Sequence, residues 1–254
     1  MSIITVDANN IDKEHICCAI SEKKGENCVA SKKAWMKERF KDGLEFKKLD
    51  VRGKVFIEYI PAEKAFAPII ADNYMYINCF WVSGRYKGQG YGNKLLDECV
   101  IDAKNKGKDG LVALSSEKKI PFLSDPKYLK YKGFRVCDIA QPYYELLYLP
   151  FHKDVDIPKF KEFAKRGIID EMNAVLYYSD QCPHTAKYIP IIEKAAKENN
   201  IKFKSVKLDS VEKAKNAPAP FTTYSLYVNG KFETNEILTE KKFLKIVKGK
   251  LWKP

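Results

Sequence analysis

Residues Tyr86–Leu96 read YKGQGYGNKLL and decide the fold of this chain. Three glycines at alternate positions separate an apolar run, Tyr74–Val82, from a helical pattern that begins at Leu95. Glycine costs backbone entropy in a regular element, so three of them this close together predict a turn in which the backbone approaches another group. A strand that enters this turn and a helix that leaves it direct their N–H groups at one point. We therefore expect an anion site, suited to the phosphate or pyrophosphate of a nucleotide-like cofactor.

The segments on either side of the loop extend this pattern. The run before it ends in the apolar triplet Phe80, Trp81 and Val82. After the predicted helix, residues 110–115 (GLVALS) read as a strand, and residues 128–134 (YLKYKGF) form an aromatic-rich segment with a late Gly-Phe. The glycines of the loop follow neither the G-x-G-x-x-G of dinucleotide-binding loops nor the G-x-x-x-x-G-K-[ST] of ATPase phosphate loops.

The loop resembles the pyrophosphate loop of the GNAT N-acetyltransferases, whose pattern is Q/R-x-x-G-x-G/A. Lys87 stands at the Gln/Arg position, and Gly90 and Gly92 stand at the two small positions. The apolar triplet and the aromatic-rich segment are similar to segments of that family and occur in the same order. We therefore assign residues 1–152 to a GNAT-like acetyltransferase domain.

This resemblance implies a fold, a co-substrate and a reaction. The fold is α/β (α+β), a GNAT-like mixed sheet with helices, and the co-substrate is acetyl-CoA. The reaction moves the acetyl group to an amine of a small molecule or of a protein. The backbone N–H groups near Val82 would polarise the thioester carbonyl. The residues implied to bind acetyl-CoA are Phe80, Trp81, Val82, Lys87, Gly88, Gln89, Gly90, Tyr91, Gly92 and Asn93.

Two further residues are candidates for the proton transfers. In the family the general acid is often the Tyr of an F-Y-x-K-x-G-F segment, and here Leu129 stands at that place between Tyr128 and Tyr131. Tyr128 is our candidate acid, and the alternative is an aromatic ring packed on the cofactor helix. Glu58, on a predicted hairpin strand, is the candidate base, and its alternative is an exposed carboxylate without a catalytic part.

A second series of predicted strands and helices begins after residue 153. It comprises a strand, a helix that follows Cys182, further strands and a hairpin turn at Asn229 and Gly230. This order resembles thioredoxin, and CPHT at residues 182–185 occupies the place of its C-x-x-C motif. We therefore assign residues 153–254 to a smaller thioredoxin-like α/β domain.

Cys182 is a candidate catalytic residue, because the dipole at the first turn of a helix stabilises a thiolate. Thr185 stands where a resolving cysteine would be, so no intramolecular disulfide can close within this motif. A binding or scaffold module on a thioredoxin frame is the alternative. The two parts together resemble the YoaP-type two-domain acetyltransferases. The alternative function is a thiol-dependent redox or binding protein that uses Cys182, with the first domain as a non-catalytic acyl-CoA sensor.

Composition limits the partners. The net charge of +12 comes from 45 basic residues that are almost all Lys and are spread over both parts, so no nucleic-acid partner is expected. No apolar run is long enough for a membrane span, and no signal peptide is visible, so we expect a cytoplasmic protein. Seven cysteines without a C-x-x-C pair predict neither a disulfide framework nor a metal site. The oligomeric state stays open.

Two short helices are expected where the apolar pattern is weaker. One covers Asp12–Ile20, and the other connects the two domains over Asp156–Lys165. The predicted order up to residue 150, β-α-α-β-β-β-α-β-α-β-β, is that of the acetyltransferase fold.

Overall fold

The computed structural model describes residues 1–16, 19–20 and 27–251, so Cys17 and Cys18 lie outside the described residues. The N-terminal half, defined here as everything up to residue 150, is built on one mixed seven-stranded sheet. The helices and strands of this half are β1 (Ile3–Val6), α1 (Cys28–Phe40), β2 (Glu45–Leu49), β3 (Val55–Pro61), β4 (Ile69–Ile70), β5 (Tyr74–Val82), α2 (Tyr91–Asn105), β6 (Gly110–Ser116), α3 (Pro126–Tyr131), β7 (Arg135–Ala140) and β8 (Tyr144–Pro150).

The strands of the large sheet lie in the order β1-β2-β3-β5-β6-β8-β7. Neighbouring strands are antiparallel except for β5 and β6, which run parallel. Parallel strands need a crossover connection, and α2 supplies it. The predicted mixed α/β fold is confirmed, and so is the strand that leads into the glycine loop.

Successive side chains of β3 point alternately to the two faces of this sheet. Val55 and Ile57 belong to the core on the α2 side, whereas Phe56 and Ile60 belong to the core on the α1 side. Because successive side chains of a strand point to opposite faces, Glu58 is placed on the α1 side. That position buries a carboxylate completely.

The C-terminal half, residues 151–251, carries a separate four-stranded sheet in the order β11-β10-β12-β13. Its helices and strands are β9 (Lys159–Phe160), β10 (Ala174–Tyr178), α4 (Pro183–Glu198), β11 (Phe203–Lys207), α5 (Val211–Lys215), β12 (Tyr224–Val228), β13 (Lys231–Thr234) and α6 (Glu240–Leu251). β10 is parallel to β11 and antiparallel to β12. β12 and β13 pair antiparallel around Asn229 and Gly230, so the predicted hairpin is confirmed.

The helix expected over Asp12–Ile20 is wrong in its described part, residues 12–16 and 19–20. Turns cover the segment up to residue 14 and no helix follows. Polar side chains fix a turn just before this segment: Asp7 Oδ1 accepts from the N–H of Asn9, and Asn10 Oδ1 accepts from the N–H of Asp7. Short polar side chains of this kind compete with helical hydrogen bonds.

The connecting helix expected over Asp156–Lys165 is also wrong. Here β9 pairs antiparallel with β4, with Phe160 opposite Ile69, and a short 3-10 turn follows at Glu162–Lys165. Phe160 is 1% exposed and belongs to the core of the N-terminal half. Burial of this ring fixes an extended segment against β4, and tertiary packing overrides the local helical pattern.

The two halves are in contact through an aromatic cluster and through helices α1 and α4. Phe232 of β13 lies edge-on to Tyr143 and Tyr144, with ring centroids 6.0 and 5.8 Å apart. Tyr143 Oη donates to Asn235 Oδ1 at 2.5 Å, and Asn235 Nδ2 donates to the carbonyl oxygen of Pro121 at 3.1 Å. Phe232 and Phe221 pack against the core on the α1 side of the large sheet, so the C-terminal half covers that side.

Gly110 begins β6 at a position where no side chain fits. A Cβ there would lie 2.4 Å from the carbonyl oxygen of Leu149 and 2.8 Å from the ring of Tyr74. We expect Gly110→Ala to lower the free energy of unfolding by about 1–3 kcal/mol through overpacking, measured by urea denaturation. Gly249 in α6 has no heavy atom within 4 Å of its Cβ position, and Gly249→Ala should instead raise stability by about 0.5–1 kcal/mol. Equal effects of the two substitutions would contradict this packing.

Candidate active site

The loop between β5 and α2 leaves backbone donors uncovered. Gly88 and Gly90 have φ angles of 74° and 79°, a left-handed conformation that glycine adopts without strain. The N–H groups of residues 90–93 form no hydrogen bond within the described part of the chain. These four donors stand at the N-terminus of a 15-residue helix, whose dipole adds positive potential. The loop is therefore suited to bind an anionic group.

Strand β5 separates from its parallel neighbour just before this loop. Tyr74–Ile77 pairs with Gly110–Ala113 of β6. Asn78 follows as the extra residue of a bulge in the pairing with β3, and a bulge bends its strand. Beyond it, Cys79–Val82 pairs with β3 but not with β6. Among the described residues, Phe80–Val82 therefore has no strand partner on the β6 side, and this stretch can face a ligand.

A cavity of about 640 Å³ lies beside the separated strands, the loop and α3. Its lining residues are Phe80, Trp81, Val82, Tyr86, Lys87, Gly88, Gly90, Tyr91, Gly92, Asn93, Lys119, Leu123, Ser124, Asp125, Tyr128 and Leu129. Of the predicted acetyl-CoA residues, only Gln89 lies outside this lining, and its side chain donates to the carbonyl oxygen of Arg85. The sequence missed Tyr86 and Leu129 as lining residues. It also missed Lys119 and residues 123–125, since no motif marks the connection between β6 and α3.

Tyr128 lies in this cavity because of the way α3 begins. Asp125 caps the helix by accepting from the N–H groups of Lys127 and Tyr128, at 3.0 and 3.2 Å. The phenol donates to Asn93 Oδ1 at 3.2 Å, and its ring lies edge-on to Phe80 with centroids 5.5 Å apart. Burial, with a smaller effect of the Asp97 charge, raises the pKa of Tyr128 to about 12. The phenol is therefore protonated at neutral pH and can act as a donor.

The neighbours of Tyr128 lie elsewhere. Leu129 is 1% exposed and packs in the core on the α2 side, although part of it reaches the cavity. Tyr131 is 82% exposed. Of the two tyrosines that flank the family's usual position, only Tyr128 is brought to the glycine loop.

The cavity has basic groups at its rim. Lys87 belongs to the loop itself, and Lys119 Nζ lies 2.8 Å from Asp125 Oδ2. Burial alone would raise the pKa of Asp125, but the hydrogen bonds from Lys119 and from the N–H of Tyr128 outweigh it, so this pKa lies below its usual value. Asp125 is accordingly ionised at neutral pH, which keeps both the cap of α3 and the bond to Lys119.

Glu58, the predicted base, is not in the lining of this cavity. It is fully buried, so its reading as an exposed strand carboxylate is wrong. Its Oε2 accepts from Lys32 Nζ at 2.6 Å, and its Oε1 accepts from Asn78 Nδ2 at 3.1 Å. Each carboxylate oxygen thus has a donor, and the negative charge is balanced by the equally buried ammonium of Lys32.

Cys182 precedes α4 in the C-terminal half and is partly buried beside that half's core. It does not line the large cavity, which the structure forms in the N-terminal half. Thr185 is fully buried, and its hydroxyl donates to the carbonyl oxygens of Ser179 and Cys182. The residue at the position of a resolving thiol therefore stabilises the turn before α4.

Comparison with known proteins agrees with this geometry. The model of the acetyltransferase (GNAT) family matches residues 34–123, and a YoaP-like family model matches residues 202–245. A protein of Bacillus subtilis (strain 168) named uncharacterized N-acetyltransferase YoaP is 42% identical over 247 residues, which span 97% of this chain and 98% of the relative. The chain belongs to this family of GNAT acetyltransferases. The match to the relative extends through both halves of this chain.

Solved structures of GNAT acetyltransferases also resemble the chain. The structure of yncA from Salmonella typhimurium, with its cofactor acetyl-CoA, has a TM-score of 0.42 at 14% identity and covers 61% of this chain and 96% of that one. A GNAT acetyltransferase from Brucella melitensis, in complex with acetyl-CoA, has a TM-score of 0.38 at 14% identity and covers 61% and 91%.

Two features are absent from the described residues. No helix among them combines the length and the apolar character needed to cross a bilayer. Within residues 1–16, 19–20 and 27–251, no group of three or more His, Cys, Asp or Glu side chains is placed to hold a metal ion.

Gly90→Asp tests the anion site of this GNAT chain. The new carboxylate would stand beside the phosphates of acetyl-CoA, and its Cβ would be strained at a φ of 79°. We expect calorimetry to show acetyl-CoA affinity lowered by at least about tenfold, since one unfavourable charge contact is worth 1.4 kcal/mol or more in a cavity.

Gly107→Asp is the matched control for this measurement. Gly107 has a φ of 65°, has no heavy atom within 4 Å of its Cβ position, and follows the other end of α2. The substitution brings similar strain and the same charge without reaching the loop, so acetyl-CoA affinity should not change. A folded Gly90→Asp variant with unaltered affinity would refute the loop as the phosphate site.

Proposed function

We propose that the chain transfers the acetyl group of acetyl-CoA to the nitrogen of an amine. The observation that carries this proposal is the row of four N–H groups at residues 90–93, which have no acceptor among the described residues and open on a cavity beside Phe80–Val82 of β5. Family membership supports the same reaction. Acetyl-CoA supplies an activated acyl thioester, and the chain has to hold an amine against it.

The loop and the strand have separate parts in this proposal. Residues 87–93 hold the pyrophosphate, with Lys87 adding charge from the position where the family has Gln or Arg. Lysine keeps the charge but lacks the planar fork of arginine, so the backbone donors carry most of the recognition. Phe80, Trp81 and Val82 face the pantetheine arm, and an N–H of this open stretch of β5 polarises the thioester carbonyl.

Positioning of the amine is the largest contribution that the chain can make. An alkylamine with a pKa near 10.4 has to lose a proton, which costs about 4 kcal/mol at neutral pH. Holding the neutral amine at the thioester can contribute about 7–11 kcal/mol. Glu58 as general base stays a prediction. It is fully buried and does not line the larger cavity, so it has no direct contact with an amine bound there.

Tyr128 is proposed as the donor to the leaving sulfur. A phenol with a pKa of about 12 is roughly 3.5 units less acidic than an alkyl thiol of the cysteine kind, so full proton transfer is uphill by about 5 kcal/mol. A hydrogen bond to the developing thiolate has no such barrier. The pKa therefore favours stabilisation of the sulfur by the protonated phenol, with the proton following after the C–S bond has broken.

The proposal includes the domain organisation. We place a boundary at residues 152/153, between a GNAT-like domain and a thioredoxin-like domain. The separate seven-stranded and four-stranded sheets support the division, while β9 pairs with β4 across the boundary and packs Phe160 into the N-terminal core. The parallel β10–β11 pair with two antiparallel strands at its other side supports the thioredoxin-like assignment. The cytoplasmic location, the lack of a nucleic-acid partner and the reactivity of Cys182 stay predictions.

The reaction itself is tested by offering acetyl-CoA and a library of primary amines to the full chain and measuring free CoA. Tyr128→Phe should lower kcat by about a hundredfold, because it removes one donor at a developing charge. Acetyl-CoA affinity should stay within about threefold. Wild-type kcat should not fall between pH 7 and 10, since a phenol with a pKa of about 12 keeps its proton throughout that range.

Tyr131→Phe is the control for the phenol. It deletes the same hydroxyl from a side chain that is 82% exposed, and kcat should stay at the wild-type value. If both variants turn over at the wild-type rate, Tyr128 is a packing residue. If no amine releases CoA from the wild-type chain, the proposed reaction is wrong.

Cys182→Ser separates the acetyltransferase from the alternative thiol-dependent function. Because Cys182 does not line the acetyl-CoA cavity, its replacement should leave acetyl-CoA affinity unchanged, and we expect altered use of the acceptor. The two measurements are calorimetry and a comparison of rates over the amine library. Unaltered rates with every acceptor would make Cys182 a structural residue. If the wild type has a redox activity that needs only one thiol and Cys182→Ser loses it, the alternative function is favoured.

A further inference from the structure

A second, small cavity lies between the two halves. It has a volume of about 20 Å³, enough for one water molecule or one amino group. The N-terminal half contributes Asn78 and aromatic side chains to its wall, and the C-terminal half contributes Gln181 together with residues 220–223. The hydroxyl of Thr222 also donates to the carbonyl oxygen of Phe66, which ties the two walls together.

Two acceptors in this wall lack a donor. Asn78 Oδ1 and Gln181 Oε1 are both buried, and neither forms a hydrogen bond with the described residues. A buried acceptor without a donor is costly, and each half supplies one of the two. The cavity therefore favours a group that can donate two hydrogen bonds.

A hydrogen bond to Glu58 fixes the orientation of the Asn78 side chain. A carboxylate can only accept, so Glu58 Oε1 binds the NH2 group of Asn78 and cannot bind its oxygen. Glu58 is itself held by Lys32 at 2.6 Å. The chain Lys32–Glu58–Asn78 thus presents an acceptor oxygen to the cavity, and its two opposite charges cancel within the chain.

The small cavity adjoins the acetyl-CoA cavity. Leu123 and Ser124 line both. Asn78 is the extra residue of the β5 bulge, two positions before Phe80, which lines the larger cavity. Phe80 begins the open stretch of β5 and lies about 7 Å along the strand from Asn78, so a group bound between Asn78 and Gln181 faces a thioester held at the Phe80 end of that stretch.

We propose that this cavity receives the acceptor nitrogen, and that Gln181 of the C-terminal half is a specificity-determining residue of the acetyl transfer. The inference rests on the proposed function. A neutral primary amine donates one N–H to Asn78 Oδ1 and the other to Gln181 Oε1, and its lone pair stays available. The nitrogen then bonds to the acetyl carbon as the C–S bond breaks, one amine proton is released to solvent, and the sulfur leaves as the thiolate of CoA.

The lining also indicates the class of acceptor. Two neutral carbonyl oxygens bind the amine without the negative charge that would hold it as an ammonium ion. Among the described residues that line the small cavity there is no Lys or Arg, so a carboxylate next to the amine would have no partner. A cavity of about 20 Å³ holds the amino group alone, so the stem of the acceptor extends past the apolar side chain of Leu123 into the larger cavity. The acceptor class is a primary amine on an apolar stem, not the α-amine of a free amino acid.

The test uses the full chain, a series of straight primary alkylamines from ethylamine to hexylamine, and glycine as the carboxylate-bearing comparison. Gln181→Leu keeps the approximate size and removes the acceptor. We expect KM for the alkylamines to rise about tenfold to hundredfold, with acetyl-CoA affinity unchanged, and glycine to be a poor substrate of the wild type. Gln141→Leu, the same substitution at an exposed residue that lines neither cavity, should leave KM unchanged.

The pH profile of Gln181→Glu distinguishes a contact with the amine from a purely structural role of Gln181. It keeps an acceptor oxygen and adds negative charge, which favours the ammonium form of the bound amine. The rising limb of kcat/KM against pH should move to higher pH in this variant and not in Gln141→Glu. A wild-type KM and pH profile in both Gln181 variants would overturn the proposal while leaving the acetyl transfer intact.

Equilibrium binding distinguishes this proposal from the proposed function. Hexylamine is titrated into the wild type and into Gln181→Leu by calorimetry, with CoA present and no turnover. Weaker binding by the variant, by about tenfold or more, supports the site even if the wild type acetylates no amine. Equal binding, or a crystal structure at saturating hexylamine with only a water molecule between Asn78 and Gln181, would overturn it.

Discussion

The separation of two parallel strands is the constraint on which the rest of the site depends. β5 and β6 pair over Tyr74–Ile77 and then diverge at the bulge of Asn78. Strand N–H and C=O groups need partners, so the open edge has to face a polar ligand or water. The glycine loop then returns the chain as α2 over the same sheet. The larger cavity, the helix N-terminus and the bent strand all follow from this one divergence.

The alternation of side chains along β3 places Glu58 on the buried α1 side of the sheet, where it pairs with Lys32 of α1. An apolar pair of the same volume would be about as stable, whereas removal of one partner from a buried pair typically costs 3–5 kcal/mol. Stability alone therefore does not account for two charges at 1% exposure. The pair also orients Asn78, because Glu58 accepts from the NH2 group of Asn78 and so turns the amide oxygen away from itself.

Sequence patterns predicted the parts that depend on local chemistry. The spacing of Gly88, Gly90 and Gly92 predicted the loop, because left-handed turns and helix starts are encoded over a few residues. The helix over Asp156–Lys165 was wrong because the burial of Phe160 against β4 is a long-range effect. The meeting of Asn78 and Gln181 has no sequence signal, since the two residues are brought together only by the contact of the two halves.

The covering of the large sheet by the C-terminal half has a consequence for biosynthesis. When β8 leaves the ribosome, the seven strands are complete, but Tyr144 and the core on the α1 side still lack Phe221 and Phe232. Residues 153–254 take about 5–20 s to synthesise at roughly 5–20 residues per second. During that interval the nascent chain presents an apolar face to which chaperones can bind and on which neighbouring chains of a polysome can associate.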